Sequence, residues 1–404
     1  MKKIILKAGK EKTLKSFHHW VFSGAIDENK GDFSKLDKEG EIVEVLSNNN
    51  EILGSGFYTA GKSISIRMYS FGENEFFTSI KENIQDAYEL RKALIDTNKT
   101  NCYRLINGEG DGIPGIIIDL YSEKVAVVQS HVKATDHLIS FMKDQLVALM
   151  PKLEFVIEKS DSNSRKSEGL RSVNGFLKGE ENKFKGIVVK ENDISYFVNP
   201  LEGQKTGAFL DQREMRLLVS QYSQGRKVLN TFCYHGWFST AAMKGGAKSV
   251  ASVDISKSAI EMAKKNIELN INTDIETKKM DWVVEDVFSY LRGLQTSQDD
   301  CYDLIILDPP AFAKKRKDER SALKAYKDIN REAMKIIESG GILFTFSCSH
   351  FISLESFKKM IFFAALEAGR NVRIIGEHRL GIDHPVNVFH PEGQYLKGLV
   401  LYVS

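Results

Sequence analysis

Residues 226–254 read RKVLNTFCYHGWFSTAAMKGGAKSVASVD, and the fold of the last half of the chain turns on them. The apolar run at 228–232 predicts a short buried strand, and 239–244 the start of a helix that Gly245 and Gly246 stop. Residues 249–253 predict a second strand, closing on Asp254. That is one strand–helix–strand unit with Gly236 at its first turn. An acidic residue at the next strand tip, about 20 residues on, is where a carboxylate grips a ribose hydroxyl. A dinucleotide would need several glycines, so that backbone can press against its pyrophosphate. Here the turn holds one glycine flanked by His235 and Trp237. A cofactor with ribose and adenine but no phosphates fits better, which points to S-adenosylmethionine (SAM). Alone, the glycine and aspartate would equally suit a plain structural unit, with Asp254 capping the next helix.

Working outward, the chain has 404 residues, 42% hydrophobic and 27% charged, enough for two or three domains of a soluble globular protein. No apolar run approaches a membrane span, and MKKIILKAGKEK has too short an apolar core for a signal peptide. Cys102, Cys233, Cys301 and Cys348 lie far apart, without metal-ligand or disulfide spacing, so no metal is expected and a cytoplasmic location is. A net charge of +2 means that nucleic-acid binding must come from local clusters.

In chain order, residues 1–70 predict a small β-rich domain. Its lysines (Lys2, Lys3, Lys7, Lys10, Lys12, Lys15) precede an aromatic group of Phe17, His18, His19, Trp20 and Phe22, a mixture suited to phosphate contact and base stacking. Residues 71–185 read as α+β, with helices at 81–95 and 135–149, strands at 116–120 and 125–129, and a polar loop at 158–170. Residues 186–198 predict a strand pair. From 186 to 404, strands and helices alternate as in a doubly wound α/β sheet. Asp211 is placed to cap a helix, with Glu214 completing a capping box. Beyond the central unit come a helix at 256–270, a strand ending at Asp286 and a strand at 302–310. A helix at 319–337, stopped by Gly340 and Gly341, and a strand at 342–346 follow.

Ligands of open α/β sheets sit beyond the carboxyl ends of the strands. Those ends carry Asn230 to Tyr234, Asp254, Asp286, Asp308-Pro309-Pro310 and Cys348. Asp254 can accept both ribose hydroxyls and Asp286 the adenine amine. Asp308 lies at the reacting centre, with two prolines fixing the backbone after it. Ala311 stands where enzymes acting on exocyclic amines place a stacking aromatic. A pyrimidine C5 becomes nucleophilic only after covalent addition at C6, for which a thiolate is suited. Cys348, between two serines at a strand end, is the candidate; Cys102, Cys233 and Cys301 read as structural.

The start HHWVFSGAI resembles the entry of a PUA domain, and the last domain resembles the class I SAM-dependent methyltransferases. With GQKTGAFLDQR, NTFCYHG, SVDIS, DPPAF and FSCSH in family order, the whole chain resembles the large-subunit ribosomal RNA 5-methylcytosine methyltransferase I family. The resemblance implies a Rossmann-like C-terminal domain (186–404) after a PUA-like β-barrel (1–70) and an α+β middle domain (71–185). It implies SAM contacts from Lys205, Thr206, Gly207, Phe209, Asn230, Phe232, Gly236, Asp254, Ile255, Asp286 and Val287, with Cys348 as nucleophile. Where the family has a small residue this chain has Trp237, which predicts a narrower cofactor turn. The basic run Lys314, Lys315, Arg316 and Lys317, with Arg320 and Lys324 beyond, is placed to meet RNA phosphates.

The expected activity is SAM-dependent formation of 5-methylcytosine in 23S ribosomal RNA, through a Cys348–C6 adduct that a protonated Asp308 near N3 stabilises. The target cytosine is expected to be single-stranded or flipped out, and the enzyme a homodimer. Two rivals are a same-fold RNA methyltransferase acting on guanine or uracil, and a non-catalytic RNA-binding ribosome assembly factor.

Overall fold

In the computed structural model, which describes every residue except Lys38, 272–278, 296–300 and Lys314, and of Asn163 the backbone alone, the stretch 226–254 forms the expected unit. Strand β1 (Lys227–Thr231) leads into a helix, Trp237–Lys244, and then into β2 (Ser249–Asp254). They join β3 (Met280–Val284), β4 (Tyr302–Leu307), β5 (Ile337–Ser347), β6 (Val372–His378) and β7 (Lys397–Val403) in a seven-stranded sheet of order 3-2-1-4-5-7-6. Strands β1 to β5 pair in parallel, and β7 runs antiparallel to both neighbours, β5 and β6.

Alternate residues of these strands are buried on opposite faces, as a sheet covered on both sides requires. Val228, Val250, Leu304, Ile306 and Phe344 pack with Phe238 and Ala242 of the first helix. On the other face, Leu229, Val253, Ile305, Leu307 and Leu343 pack with Tyr326, Ile329, Phe357 and Ile361. The helix Lys257–Glu268 starts where Ser256 accepts the Ala259 N–H (3.3 Å) and buries Ala259, Ile260, Ala263 and Ile267, a helical spacing.

The chain divides into two units. The sheet belongs to the second, made of Lys190–Phe197, Asp211–Gly381 and Gln394–Ser404. The first comprises Met1–Val189, Val198–Leu210 and Ile382–Gly393. It holds one five-stranded sheet of Lys2–Ile5, Glu41–Leu46, Ile52–Tyr58, Ile64–Met68 and Trp20–Phe22, in that order. A second five-stranded sheet is built from Val173–Lys178, Phe155–Ser160, Val125–Ser130, Ile116–Tyr121 and Cys102–Asn107. Helices Phe76–Leu94 and Ile139–Leu149 share the hydrophobic core of that second sheet. A hairpin, Ile187–Glu191 with Ile194–Val198, matches the expected strand pair. Among the described residues no helix is long and apolar enough to cross a membrane.

Several expectations are corrected. Residues 158–170 are not a loop: Glu158, Lys159 and Ser160 end a strand, and Asn163–Ser167 is a short helix. The strand tolerates these polar residues because Ser160 donates to Glu158 (2.7 Å) and Lys159 to the carbonyls of Pro200 and Gly203. The helix expected from 135 is broken into Lys133–Asp136 and Ile139–Leu149. The one expected from 81 begins at Phe76, where Glu75 accepts the Thr78 N–H (2.6 Å). Gly340 and Gly341 do not stop a helix. The helix Glu319–Ile336 has already ended, and the glycines lie in a bulge of β5, where pairing with β4 slips between Ile337 and Ile342. The capping box at Asp211 does not form either, because Asp211 accepts the Tyr395 hydroxyl (2.5 Å) and Gln212 occupies the cap position.

Candidate active site

Because β1 to β5 run parallel, their carboxyl ends share one edge of the sheet. The β1-to-helix turn there is strained: Phe232, Tyr234 and Gly236 have φ of +54°, +47° and +72°. Two non-glycine residues in the left-handed region within three positions are costly and concentrate at functional sites. Gly236 is needed for a second reason. A Cβ there would lie 2.6 Å from the Ala263 Cβ, so the glycine lets the turn close against the helix Lys257–Glu268.

The strained turn holds Asp254. The Tyr234 N–H donates to its Oδ2 and the Ser256 N–H to its Oδ1, each at 2.9 Å. Two backbone donors fix the carboxylate, and each oxygen keeps a second lone pair for an incoming hydroxyl. Ile255, next in the chain, is 73% exposed, an apolar side chain offered at the strand tip. Buried Asn230 donates to Ser239 Oγ (2.8 Å), while its Oδ1 has no hydrogen-bond partner among the described residues. An unspent buried acceptor favours a bound donor, and the ammonium of a SAM methionyl group is chemically matched to it. A carboxylate with lone pairs to spare, an exposed apolar neighbour and an orphaned acceptor at one sheet edge fit SAM. Trp237 does not narrow this turn as its bulk predicted. Its ring stacks on Tyr196 (4.0 Å, 11°) and lies 5.0 Å from the Arg216 guanidinium.

Asp286 is exposed and caps the helix Val287–Leu294 by accepting the Ser289 N–H (2.9 Å); Val287 is buried. One carboxylate oxygen suffices for the cap, leaving the other available. Half-buried Asp308 follows β4 and accepts from Gln212 Nε2 (3.3 Å). Cys348 follows the adjacent β5 and is half-buried. Cys102 and Cys233 are buried; burial, then the Asp254 charge, pushes the Cys233 thiol well above its usual range. Around Cys348, the Ser349 hydroxyl pairs with the Tyr326 hydroxyl (3.1 Å) and accepts the Ala313 N–H (3.2 Å). Buried Lys397 donates to the carbonyls of Ser349 (2.6 Å) and Tyr395 (2.7 Å).

Gln212, bonded to Asp308, and Lys397, bonded beside Cys348, are the candidates that motif reading did not single out. A lysine heading the apolar run LVLYV is the signal that could have found Lys397.

Of the basic run, Lys314 lies outside the described residues. Lys315, Arg316 and Lys317 are exposed, as are Arg320 and Lys324. In the first unit, Lys205 is exposed with its Nζ 4.4 Å from the centre of the Phe209 ring. The Thr206 hydroxyl is spent on buried Asp119 (2.5 Å), and Gly207 has φ +130°, a Cβ on it falling 2.8 Å from Val198. The N-terminal aromatic group is largely packed: His18 and His19 are buried, whereas Phe17 and Phe22 are exposed. Lys2 and Lys15 are paired with Glu41 and Glu51. Phe17, with φ +56°, places its ring 5.5 Å from both Phe71 and Phe389, beside a cavity of about 650 Å³. His18, His390 and Glu392 also meet in this unit, with His18 Nε2 3.4 Å from Glu392. The Trp20 N–H donates to His18 Nδ1 (3.2 Å), so the ring proton sits on Nε2, facing the carboxylate. That arrangement is a hydrogen bond, whereas a metal would require the Nε2 lone pair.

Comparison with known proteins bears on the family and the fold. The S-adenosylmethionine-dependent methyltransferase family matches residues 169–355, and the PUA-like domain family matches 4–71. The chain is 39% identical to "Ribosomal RNA large subunit methyltransferase I" of Alteromonas mediterranea, over 99% of this chain and 98% of that one. It is 37% identical to the protein of the same name from Yersinia pestis, over 99% of each. Among solved structures, SMU.776 in complex with SAH shares 26% identity at a TM-score of 0.82, over the whole of both chains.

Proposed function

This chain belongs to the ribosomal RNA large subunit methyltransferase I family, and from that premise we propose that it methylates C5 of a cytosine in 23S ribosomal RNA. Bound SAM would supply an electrophilic methyl group, with Asp254, Asn230, Gly236, Phe232, Ile255, Asp286 and Val287 placed to hold it. Cys348 is the observation that carries the reading: a half-buried thiol at the end of β5, beside the Asp308-bearing end of β4. Its sulfur adds to C6 of the pyrimidine, which makes C5 nucleophilic. A protonated Asp308, oriented by Gln212, donates to N3 and stabilises the adduct. Loss of the C5 proton then expels the sulfur and restores the aromatic ring. C6 is shielded in a stacked duplex, so the target is single-stranded or flipped out.

RNA enters this reading through exposed charge and rings. Lys315, Arg316 and Lys317 contact phosphates beyond the Asp308 loop, and residues 1–70 hold RNA with exposed Phe17 as a stacking surface. The test is RNA carrying 5-fluorocytosine at the target. Its C5 has no proton to lose after methyl transfer, so the wild-type enzyme should stay covalently attached and run as a shifted band on a denaturing gel. Cys348→Ala should give no band and no methyl transfer, whereas alanine at Cys102, Cys233 or Cys301 should keep both. If Cys348→Ala still methylates at a comparable rate, a same-fold enzyme acting on guanine or uracil becomes the better account.

A further inference from the structure

Lys397 is a titratable amine where apolar side chains belong. It heads β7 opposite Ser347 of β5, one residue before Cys348, and is 5% exposed. Among the described residues no carboxylate is bonded to it; the groups accepting from its Nζ are the carbonyls of Ser349 and Tyr395. Nitrogen has three positions beyond Cε, and two are used by those carbonyls. The third is left for a proton or a lone pair, and the charge that Lys397 feels is that of Cys348.

The titratable groups on the elements packed around it are otherwise engaged. Tyr326 bonds Ser349, His378 lies across from Gly398 and donates to the Asp211 carbonyl (3.3 Å), and Asp211 accepts from Tyr395. Asp308 sits beyond, bonded to Gln212.

We infer that Lys397 is the proton acceptor for Cys348, a role that rests on the cytosine-C5 reading. The pair works with one proton between the two groups. As the nucleophile attacks, the Sγ–H bond breaks and its proton passes to the Nζ lone pair. The electron pair left on sulfur forms the Sγ–C6 bond, and the C5–C6 π pair moves onto C5. When the sulfur is expelled it leaves as thiolate beside the ammonium, takes the proton back, and both groups end as they began. Burial supports the assignment, since it lowers the Lys397 pKa to about 8, within reach of a thiol.

The test needs neither RNA nor methyl transfer. Alkylation of Cys348 by iodoacetamide in the full-length protein is followed against pH by peptide mass spectrometry, in wild type and Lys397→Met. The variant should titrate at least one pH unit higher and react about tenfold more slowly at pH 7, one pKa unit being tenfold in thiolate. Coincident profiles for wild type and Lys397→Met overturn the assignment. If Lys397→Met does not fold, judged by lost SAM binding, the wild type alone decides. Cys348 must titrate lower in the native chain than in guanidinium chloride, and a native midpoint at or above the denatured one overturns the role. Coincident profiles with methyl transfer still abolished by Cys348→Ala would sink only the Lys397 role. Survival of methyl transfer in Cys348→Ala would sink the cytosine-C5 reading whatever the profiles show.

Discussion

Asp254 carries two jobs at once. It accepts the Tyr234 and Ser256 N–H groups, so it holds the strained turn in shape, and in the function proposed above its remaining lone pairs take a ribose. Asp254→Ala should therefore weaken SAM binding by about 1–3 kcal/mol, the range for charge-assisted hydrogen bonds to a buried partner. Calorimetry giving an unchanged affinity would remove Asp254 from the cofactor site. Glutamate should cost less than alanine, because a carboxylate remains, yet its longer stem cannot keep the tight bond to the N–H two residues on. Asn230 differs in kind. Its Oδ1 lies buried with no partner among the described residues, so Asn230→Ala removes an acceptor that none of them uses, and its cost should fall on SAM affinity more than on folding.

At the scale of elements, the turn after β1 depends on Gly236. Alanine there must adopt φ near +72° and drive its Cβ into Ala263. Gly236→Ala should destabilise the fold by roughly 1–3 kcal/mol, read as a lower urea midpoint; an unchanged midpoint would mean that the turn relaxes freely. The loop after β4 makes a separate prediction. Neutralising Lys315, Arg316 and Lys317 together should flatten the salt dependence of RNA binding, the log–log slope falling by about one for each phosphate no longer neutralised, and should leave SAM affinity alone. An unchanged slope would make the loop a solvated face. The elements most legible in the sequence were those whose apolar period is self-contained, such as β1, β2 and the helix Lys257–Glu268. The strand-end residues were legible too, since parallel topology alone brings Asp254, Asp308 and Cys348 to one edge. What could not be read depends on distant partners. Asp211 looked like a cap because Tyr395, which claims its carboxylate, lies 184 residues away. Lys159 looked like a loop residue because the carbonyls it meets belong to Pro200 and Gly203. Lys397 was invisible as a neighbour of Cys348 because an antiparallel pairing sets it opposite Ser347, and its side-chain bond to the Ser349 carbonyl spans 48 residues.

Over the whole molecule, acid should act on buried imidazoles. Burial holds His19, His131, His378 and His390 below the ordinary histidine range, His131 at about 4. The unfolded chain takes up those protons near pH 6.5 while the native chain resists them, so stability falls as pH drops from 7 toward 4. Glu158, pushed up by burial, acts in the opposite sense as pH approaches the carboxylate range. The unfolding free energy from urea titration should be lower at pH 5 than at pH 7.5, by about 1.4 kcal/mol for each imidazole whose pKa is lowered by one; an equal or higher value would show that these rings are solvated. Sheet order carries a different consequence, one of time. Strand β7 is synthesised after the other six strands of its sheet, yet it lies between β5 and β6. The first unit likewise waits for Ile382–Gly393, where the Asp383 carbonyl accepts from the buried Arg91 guanidinium (2.8 Å) and its carboxylate from the Arg104 N–H (2.9 Å). A ribosome making this chain therefore completes neither unit before residues 382–403 have emerged. Nascent chains arrested at residue 380 should be digested by protease in both units, although six of the seven strands of the large sheet have by then been translated.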